Sequence, residues 1–172
     1  DYTVRPVDLS TGQVASDVDI LLVMGPNSLT DQELFAIDQF LMRGGSVVLA
    51  VSNYQVAVDQ FSGGLALQPA DISNVQDWLA SYGIDIPQSL AMDTQNQPFP
   101  VTVARQVGDM QVQEIQALDY PFFVDIRSDG MATDSPILSN LPAVTLNWAS
   151  PVQVDEAQNE GRETAVLLKS SD

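Results

Sequence analysis

The sequence predicts an α/β fold, namely an open, mostly parallel sheet flanked by helices, with a β-rich extension. Residues 18–55, VDILLVMGPNSLTDQELFAIDQFLMRGGSVVLAVSNYQ, follow the order strand, turn, helix, turn, strand. Beyond Pro87 the apolar residues alternate with polar ones, which is typical of strands. With 172 residues, 45% of them hydrophobic, the chain suffices for one core and leaves room for a second small lobe. We expect residues 1–172 to form a single α/β domain.

Two apolar runs predict the central strands. Ile20 to Met24 is continuously apolar and stops at Gly25-Pro26, as expected of a strand buried on both faces. Val47 to Val51 has the same character and follows Gly44-Gly45. Because a helix separates the two runs, a right-handed crossover would make them parallel neighbours.

The helix between these strands is predicted over Asp31 to Arg43. Thr30 and Glu33 have the spacing of a capping box, and Gly44 is suited to a left-handed stop. Asp38 falls on the opposite, solvent-facing side. The apolar positions at helical spacing on one face are Leu34, Ile37, Phe40 and Leu41.

The regions around this unit give weaker signals. Tyr2 to Leu9 alternates like a half-buried strand. Tyr54 to Pro69 contains Phe61-Ser62-Gly63-Gly64 and is predicted to be a mobile loop. Ser73 is a candidate cap for a short helix, whose Trp78 and Tyr82 we expect to pack in the core.

The second half is predicted to be rich in strands. Val101 to Ala104, the turn Gly108-Asp109 and the apolar series that ends at Leu118 predict a hairpin. Three further strands are predicted at Pro121 to Ile126, Ala143 to Trp148 and Thr164 to Leu168. A short helix or loop is predicted at Pro136 to Leu141.

Charge and composition exclude several classes of function. Six basic and twenty-three acidic residues give a net charge of −17, which repels nucleic acid and anionic lipid headgroups. The chain has no cysteine and no histidine, so most familiar catalytic triads and metal sites are excluded. We therefore predict neither a cofactor nor a metal. Asp125 to Gly130 has oxygen ligands near a glycine but lacks the pattern of a calcium loop, which favours an ordinary polar turn.

Polar residues follow both central strands and form the candidate site. In open parallel sheets, ligands bind outside the carboxyl ends of the strands. The predicted ligand-binding residues at these ends are Asn27, Ser28, Ser52, Asn53 and Tyr54. They are neutral hydrogen-bonding groups with one aromatic face, which suit a polar peptide or a glycan. The same residues could equally serve only to cap the strand ends.

Ser52 raises the possibility of catalysis. A serine nucleophile needs a base to remove its proton, and the chain has no histidine. Its single lysine, Lys169, lies far away in the sequence. We therefore predict that the domain is not an enzyme. The alternative is a serine-dependent hydrolase or amidotransferase-like enzyme that uses Ser52.

Two stretches carry a family resemblance. DVDILLVMGPNSLTDQELFAIDQFLMRGGSVVLAV and SPILSNLPAVTLNWASPV resemble the gliding-motility-type, GldG-like auxiliary proteins of bacterial ABC transporters. The order of the first stretch is also similar to flavodoxin-like folds and to class I glutamine-amidotransferase-like folds. In the amidotransferase-like folds, a cysteine nucleophile stands in the place of Ser52. A similar domain is shared with intraflagellar-transport scaffold proteins.

The resemblance implies a non-catalytic, extracytoplasmic domain that binds or scaffolds, with a link to gliding motility. Its partners would be the permease and ATPase subunits of an ABC transporter, together with a peptide or glycan. The chain would then be a periplasmic piece of a longer inner-membrane protein, anchored by a segment outside this sequence. A purely structural module that holds transporter subunits together is the remaining alternative.

Overall fold

A computed structural model describes residues 3–58 and 64–171. The chain divides into two compact units. Unit 1 comprises Asp1–Gln88 and Val152–Gly161, and unit 2 comprises Ser89–Pro151 and Arg162–Asp172. The single domain expected from the sequence stays a prediction.

The described residues contain two α-helices and ten strands. The helices are α1, Asp31–Met42, and α2, Ser73–Ala80. The strands of unit 1 are β1 Ile20–Met24, β2 Ser46–Ala50, β3 Tyr54–Val58, β4 Leu65–Pro69, β5 Ile84–Asp85 and β10 Gln153–Val154. Those of unit 2 are β6 Phe99–Val107, β7 Met110–Leu118, β8 Phe123–Ile126 and β9 Val144–Asn147.

The predicted parallel pair with its crossover helix is confirmed. β1 and β2 are hydrogen-bonded in parallel, with Ile20 opposite Ser46 and Met24 opposite Ala50. The predicted capping box is present at the start of α1, where Thr30 accepts from the Glu33 amide and Glu33 accepts from the Thr30 amide. Gly44 has φ +88° and so adopts the left-handed conformation that ends the helix.

The prediction of an open, mostly parallel sheet flanked by helices is wrong. The described strands form five two-stranded sheets, and only the β1–β2 pair is parallel. A further parallel strand would need another crossover, but β3 instead turns back to pair with β4 as a hairpin. The strand after α2, β5, pairs antiparallel with β10. Flavodoxin-like and amidotransferase-like sheets therefore do not describe this molecule.

The prediction that both faces of the central strands are buried is also wrong. Leu21 and Val23 of β1 are buried against the core, whereas the residues on its other face are exposed. The exposed fractions are 55% for Ile20, 58% for Leu22 and 65% for Met24. A continuous apolar run predicts two-sided burial, but hydrophobicity alone does not record whether a second layer covers the sheet.

Several local predictions also need correction. Among the described residues of the predicted N-terminal strand, residues 3–8 form no strand, and a short 3-10 helix begins at Leu9; Tyr2 lies outside them. β3 and β4 occupy the predicted mobile loop, of which residues 59–63 lie outside the described residues. The strand predicted at residues 164–168 is reduced to an isolated bridge between Leu168 and Met131.

In the second half of the chain, the predicted hairpin and two predicted strands are confirmed. The hairpin is confirmed by β6 and β7, and strands are found at β8 and β9. Within the predicted short helix or loop, residues 136–140 form turns. Ser73 is the first residue of α2 and not its cap; Asp71 instead accepts hydrogen bonds from the Ser73 amide and hydroxyl.

Each unit has its own buried apolar residues. In unit 1, α1 and α2 contribute Phe40, Ile37, Val75 and Leu79 to a core that also contains Leu21. In unit 2, Val124 and Ile126 of β8 are buried, and the Phe123 and Trp148 rings pack edge to face at 4.7 Å. The core of unit 1 fixes the strand ends at which the candidate site was predicted.

Candidate functional site

The two predicted polar turns lie at the same edge of the β1–β2 pair. Because the strands are parallel and in register, both carboxyl ends face one side. The Gly25 amide donates to the Ala50 carbonyl at 2.8 Å, which ties the first turn to the end of β2. The expected juxtaposition of the two turns is therefore present.

Asn27 and Ser28 are bonded to Asp71, the residue that precedes Ile72 and α2. The Asp71 amide donates to Asn27 Oδ1 at 3.0 Å. The Ser28 amide donates to the Asp71 carbonyl at 2.8 Å, and its hydroxyl reaches Asp71 Oδ2 at 3.4 Å. These contacts join the loop after β1 to the start of α2.

Ser52, Asn53 and Tyr54 make a second set of internal hydrogen bonds. Ser52 Oγ accepts from the Tyr54 amide at 3.2 Å. Asn53 Nδ2 donates to the carbonyls of Ile86 and Pro87 at 2.7 and 3.0 Å. The Tyr54 hydroxyl lies 3.4 Å from the Gln88 carbonyl. These side chains thus hold the segment that follows β5.

Residues 70 and 71 bridge the two turns. The Ala70 amide donates to the Asn53 carbonyl at 2.8 Å, while the next amide, that of Asp71, bonds Asn27. The chain itself therefore uses hydrogen-bonding groups from both turns. Ligand binding by Asn27, Ser28, Ser52, Asn53 and Tyr54 stays a prediction, and capping of the strand ends accounts for the contacts described here.

A second polar region lies in unit 2, around Asp93 and Asp125, which are both buried. Arg127 donates to Asp125 Oδ2 from Nε at 3.0 Å and from Nη2 at 2.8 Å. The other oxygen, Asp125 Oδ1, is buried and accepts no hydrogen bond from the described residues. Both aspartates line a cavity of about 210 Å³. Leaving a buried acceptor unpaired is costly, which makes this oxygen unusual.

Asp93 is bonded to the segment near the end of the described chain. The Ser171 amide donates to Asp93 Oδ2 at 2.6 Å, the Ser171 hydroxyl contacts Oδ1, and the Gln95 amide donates to Oδ1 at 2.8 Å. Burial acts to raise the pKa of Asp93, but these hydrogen bonds outweigh it and hold the pKa below its ordinary value. Asp93 thus remains an ionised acceptor at neutral pH.

One signal in the sequence points to this region, although the interpretation of Asp125 to Gly130 as an ordinary polar turn misses it. Asp125 interrupts the apolar run Phe122 to Ile126, and a carboxylate inside a buried strand needs partners. The contribution of Asp93 and Ser171 lay beyond sequence reasoning because they are far apart in the chain. Within residues 3–58 and 64–171, no group of three acidic side chains is arranged to hold a metal ion.

Comparison with known families gives the wider context. One family model, described as an ABC-type uncharacterized transport system, matches residues 1–172. The chain belongs to this family. Separate comparisons with curated proteins and with solved structures found no match. Family membership agrees with the predicted auxiliary role in an ABC transport system at this general level.

The family match does not extend to the GldG-like subtype or the amidotransferase-like fold. In the part of the chain that the structure describes, neither helix is long and apolar enough to cross a membrane.

Proposed function

We propose that this chain is a non-catalytic auxiliary domain that binds a protein subunit of its ABC transport system. The observation that carries the proposal is the exposed apolar face of the β1–β2 pair, made by Ile20, Leu22, Met24 and Val48. Each of these side chains is more than half exposed. Parallel strands are ordinarily covered on both faces, so an exposed apolar face favours a partner.

Charge favours a protein over a membrane as that partner. A net charge of −17 opposes approach to anionic lipid headgroups. Asp19 adjoins β1 at the edge of the apolar face and is itself exposed. The complementary surface is therefore an apolar patch rimmed by lysine or arginine on the permease, the subunit that an extracytoplasmic domain can reach.

A substitution in the apolar face tests this role. Leu22→Glu should weaken binding of the chain to its purified permease–ATPase complex at least about tenfold, because a charge would be buried at the contact. Biolayer interferometry measures the affinity, and circular dichroism checks folding. The control is Ile137→Glu, the same change at a side chain in unit 2 that is 71% exposed. Equal affinities of Leu22→Glu, Ile137→Glu and the unaltered chain would show that the apolar face does not contact the partner.

The competing enzyme hypothesis rests on Ser52 and has its own test. We expect no covalent labelling at Ser52 by a fluorophosphonate, because its hydroxyl oxygen is engaged by the Tyr54 amide and no histidine exists to activate it. Mass spectrometry locates any adduct. Labelling at Ser52, with hydrolase activity that is lost in Ser52→Ala, would establish the enzyme instead.

The finer features of the proposal come from the resemblance to GldG-like proteins. They are an extracytoplasmic, periplasmic position, membrane anchoring through a segment outside this chain, and a link to gliding motility. A peptide or glycan at the β1–β2 edge is a further part of the same proposal. Protease accessibility of the protein in spheroplasts tests the periplasmic position, since a cytoplasmic domain would remain protected until lysis.

A further inference from the structure

We propose that β7 is an assembly edge, at which two copies of this chain join strand against strand into one four-stranded antiparallel sheet. All nine residues of β7 are exposed, and among the described strands β7 pairs with β6 alone. A two-stranded hairpin by itself is only marginally stable in water. A further strand on β7 would satisfy its outer backbone groups and cover apolar side chains.

Pro100 on β6 shows which backbone groups of the hairpin point outward. Proline has no N–H, and within a sheet it occupies edge positions whose nitrogen faces away from the neighbouring strand. Pro100 lies opposite Ala117, and ladder hydrogen bonds alternate, so Ala117 and every second residue before it also direct their N–H and C=O groups away from β6. These residues are Ile115, Gln113 and Gln111. Outside the β6–β7 pair, no backbone hydrogen bond within the described residues involves them.

β7 lacks the features by which exposed edges ordinarily avoid pairing. Such edges carry prolines, lysines or other charges. Met110–Leu118 has no proline and no lysine, and its one charged residue is Glu114, which lies 3.8 Å from Arg105. Pairing of β7 with β7 would leave only the β6 edges outside, and Pro100 interrupts each of them. Assembly therefore stops at two copies.

The side chains of β7 match a second copy of β7 in one register. Two identical antiparallel strands are related by a twofold axis. With that axis at Ile115, Val112 lies opposite Leu118 of the second copy, and Glu114 lies opposite Gln116. Ile115, which is 74% exposed, meets its own copy. Apolar side chains thus face apolar ones, and the carboxylate faces a neutral amide.

The neighbouring registers are less favourable. With the axis at Glu114, two carboxylates would face each other, which is destabilising. With the axis at Gln116, Glu114 would lie opposite Leu118, and with the axis at Gln113 it would lie opposite Val112. Only the axis at Ile115 keeps the charge away from an apolar side chain and from its own copy.

Charge restricts where two copies can meet. Each chain carries a net charge of −17, so most surfaces repel their own copy, whereas β7 contributes one acidic residue. Raising the salt concentration from about 50 to 500 mM screens this repulsion and should therefore strengthen the dimer. Weaker association at the higher salt concentration would indicate ion pairs elsewhere and would count against the β7 edge.

Sedimentation equilibrium of the chain tests the assembly. A monomer–dimer equilibrium without larger species should appear at concentrations up to about 200 μM. Ile115→Glu should weaken dimerisation at least about tenfold, because two carboxylates would face each other at the axis. The control Ile137→Glu makes the same change at a side chain of unit 2 that is 71% exposed, and it should leave dimerisation unchanged. A chain that stays monomeric, or equal affinities of the two variants, would overturn the proposal.

Single cysteines test the register, since the chain has none of its own. Ile115→Cys places the two thiols at the axis, with Cα atoms about 5.5 Å apart, so oxidised glutathione should link the copies. Gln111→Cys is an exposed change in the same strand that separates the thiols by about 27 Å, and it should leave the copies unlinked. Gel electrophoresis without reductant measures the linked fraction. Equal linkage at both positions would reject the register.

A strand of the permease is the competing occupant of this edge. The permease–ATPase complex distinguishes it from a second copy when binding of Ile115→Glu is compared with binding of the unaltered chain. A monomeric chain whose binding to the complex is weakened by Ile115→Glu would assign the edge to the permease and overturn the dimer. A dimeric chain whose binding is unchanged supports the proposal.

Discussion

Replacing Phe40 by alanine is expected to lower the free energy of unfolding by about 3 to 5 kcal/mol, the largest effect of any single truncation considered in unit 1. Phe40 lies on α1, is 4% exposed, and belongs to the apolar core. Its ring also lies against Gly45, where no side chain could fill the space left behind. Urea unfolding followed by circular dichroism measures the change.

The matched control for Phe40 is its exposed neighbour. Gln39→Ala should change stability by no more than about 0.5 kcal/mol, because Gln39 is exposed on α1. Equal unfolding midpoints for the two variants would contradict the assigned face of the helix.

Asp38, which the sequence places on the solvent-facing side, is not a suitable control. It is half-buried, and its Oδ1 atom accepts from Trp78 Nε1 at 3.1 Å and from the Tyr82 hydroxyl at 2.7 Å. The predicted solvent-facing position of Asp38 is therefore wrong. Its side chain joins α1 to α2, a contact between residues 40 or more positions apart that helical periodicity cannot reveal.

Replacing Gly130 by alanine is expected to destabilise unit 2 by about 2 to 4 kcal/mol, through overpacking and a disrupted backbone hydrogen bond. A Cβ atom at this position would overlap the Lys169 carbonyl oxygen and lie 2.9 Å from Ile126 Cγ2. Backbone atoms cannot move aside as a flexible side chain can, so the Lys169 segment must shift.

Hydrogen exchange of individual amides measures this displacement. The Lys169 amide, which donates to the Gly130 carbonyl, should lose protection in Gly130→Ala. Ser128→Ala, an exposed change in the same turn, is the control and should preserve it. Unchanged protection of Lys169 in the glycine variant would contradict the close approach.

Three local features were predictable because the residues that determine them lie close together in the sequence. The capping box of Thr30 and Glu33 is set by residues three apart, and the left-handed Gly44 by a single residue's steric freedom. The β6–β7 hairpin joins neighbouring strands through the short turn that includes Gly108. These elements depend on residue spacings that are visible directly in the sequence.

Two features of the fold depended on distant pairing. Hydrophobicity marked Ile20 to Met24 as a strand but could not say that its outer face lacks a covering layer. Nor could it show that β5 would pair with β10, about seventy residues away. Strand partners and second layers are chosen by the free energy of the whole packed chain, which no local window contains.

The candidate sites divide in the same way. The amino-acid sequence alone establishes the absence of histidine and cysteine, the charge of −17 and the polar turns after two strands, all of which limit the chemistry available. The hydrogen bonds between Asp71 and Asn27 and between Ser171 and Asp93 are visible only in the folded chain. Whether a polar side chain is satisfied by its own chain or left unpaired, like Asp125 Oδ1, depends on groups that folding brings together from distant positions.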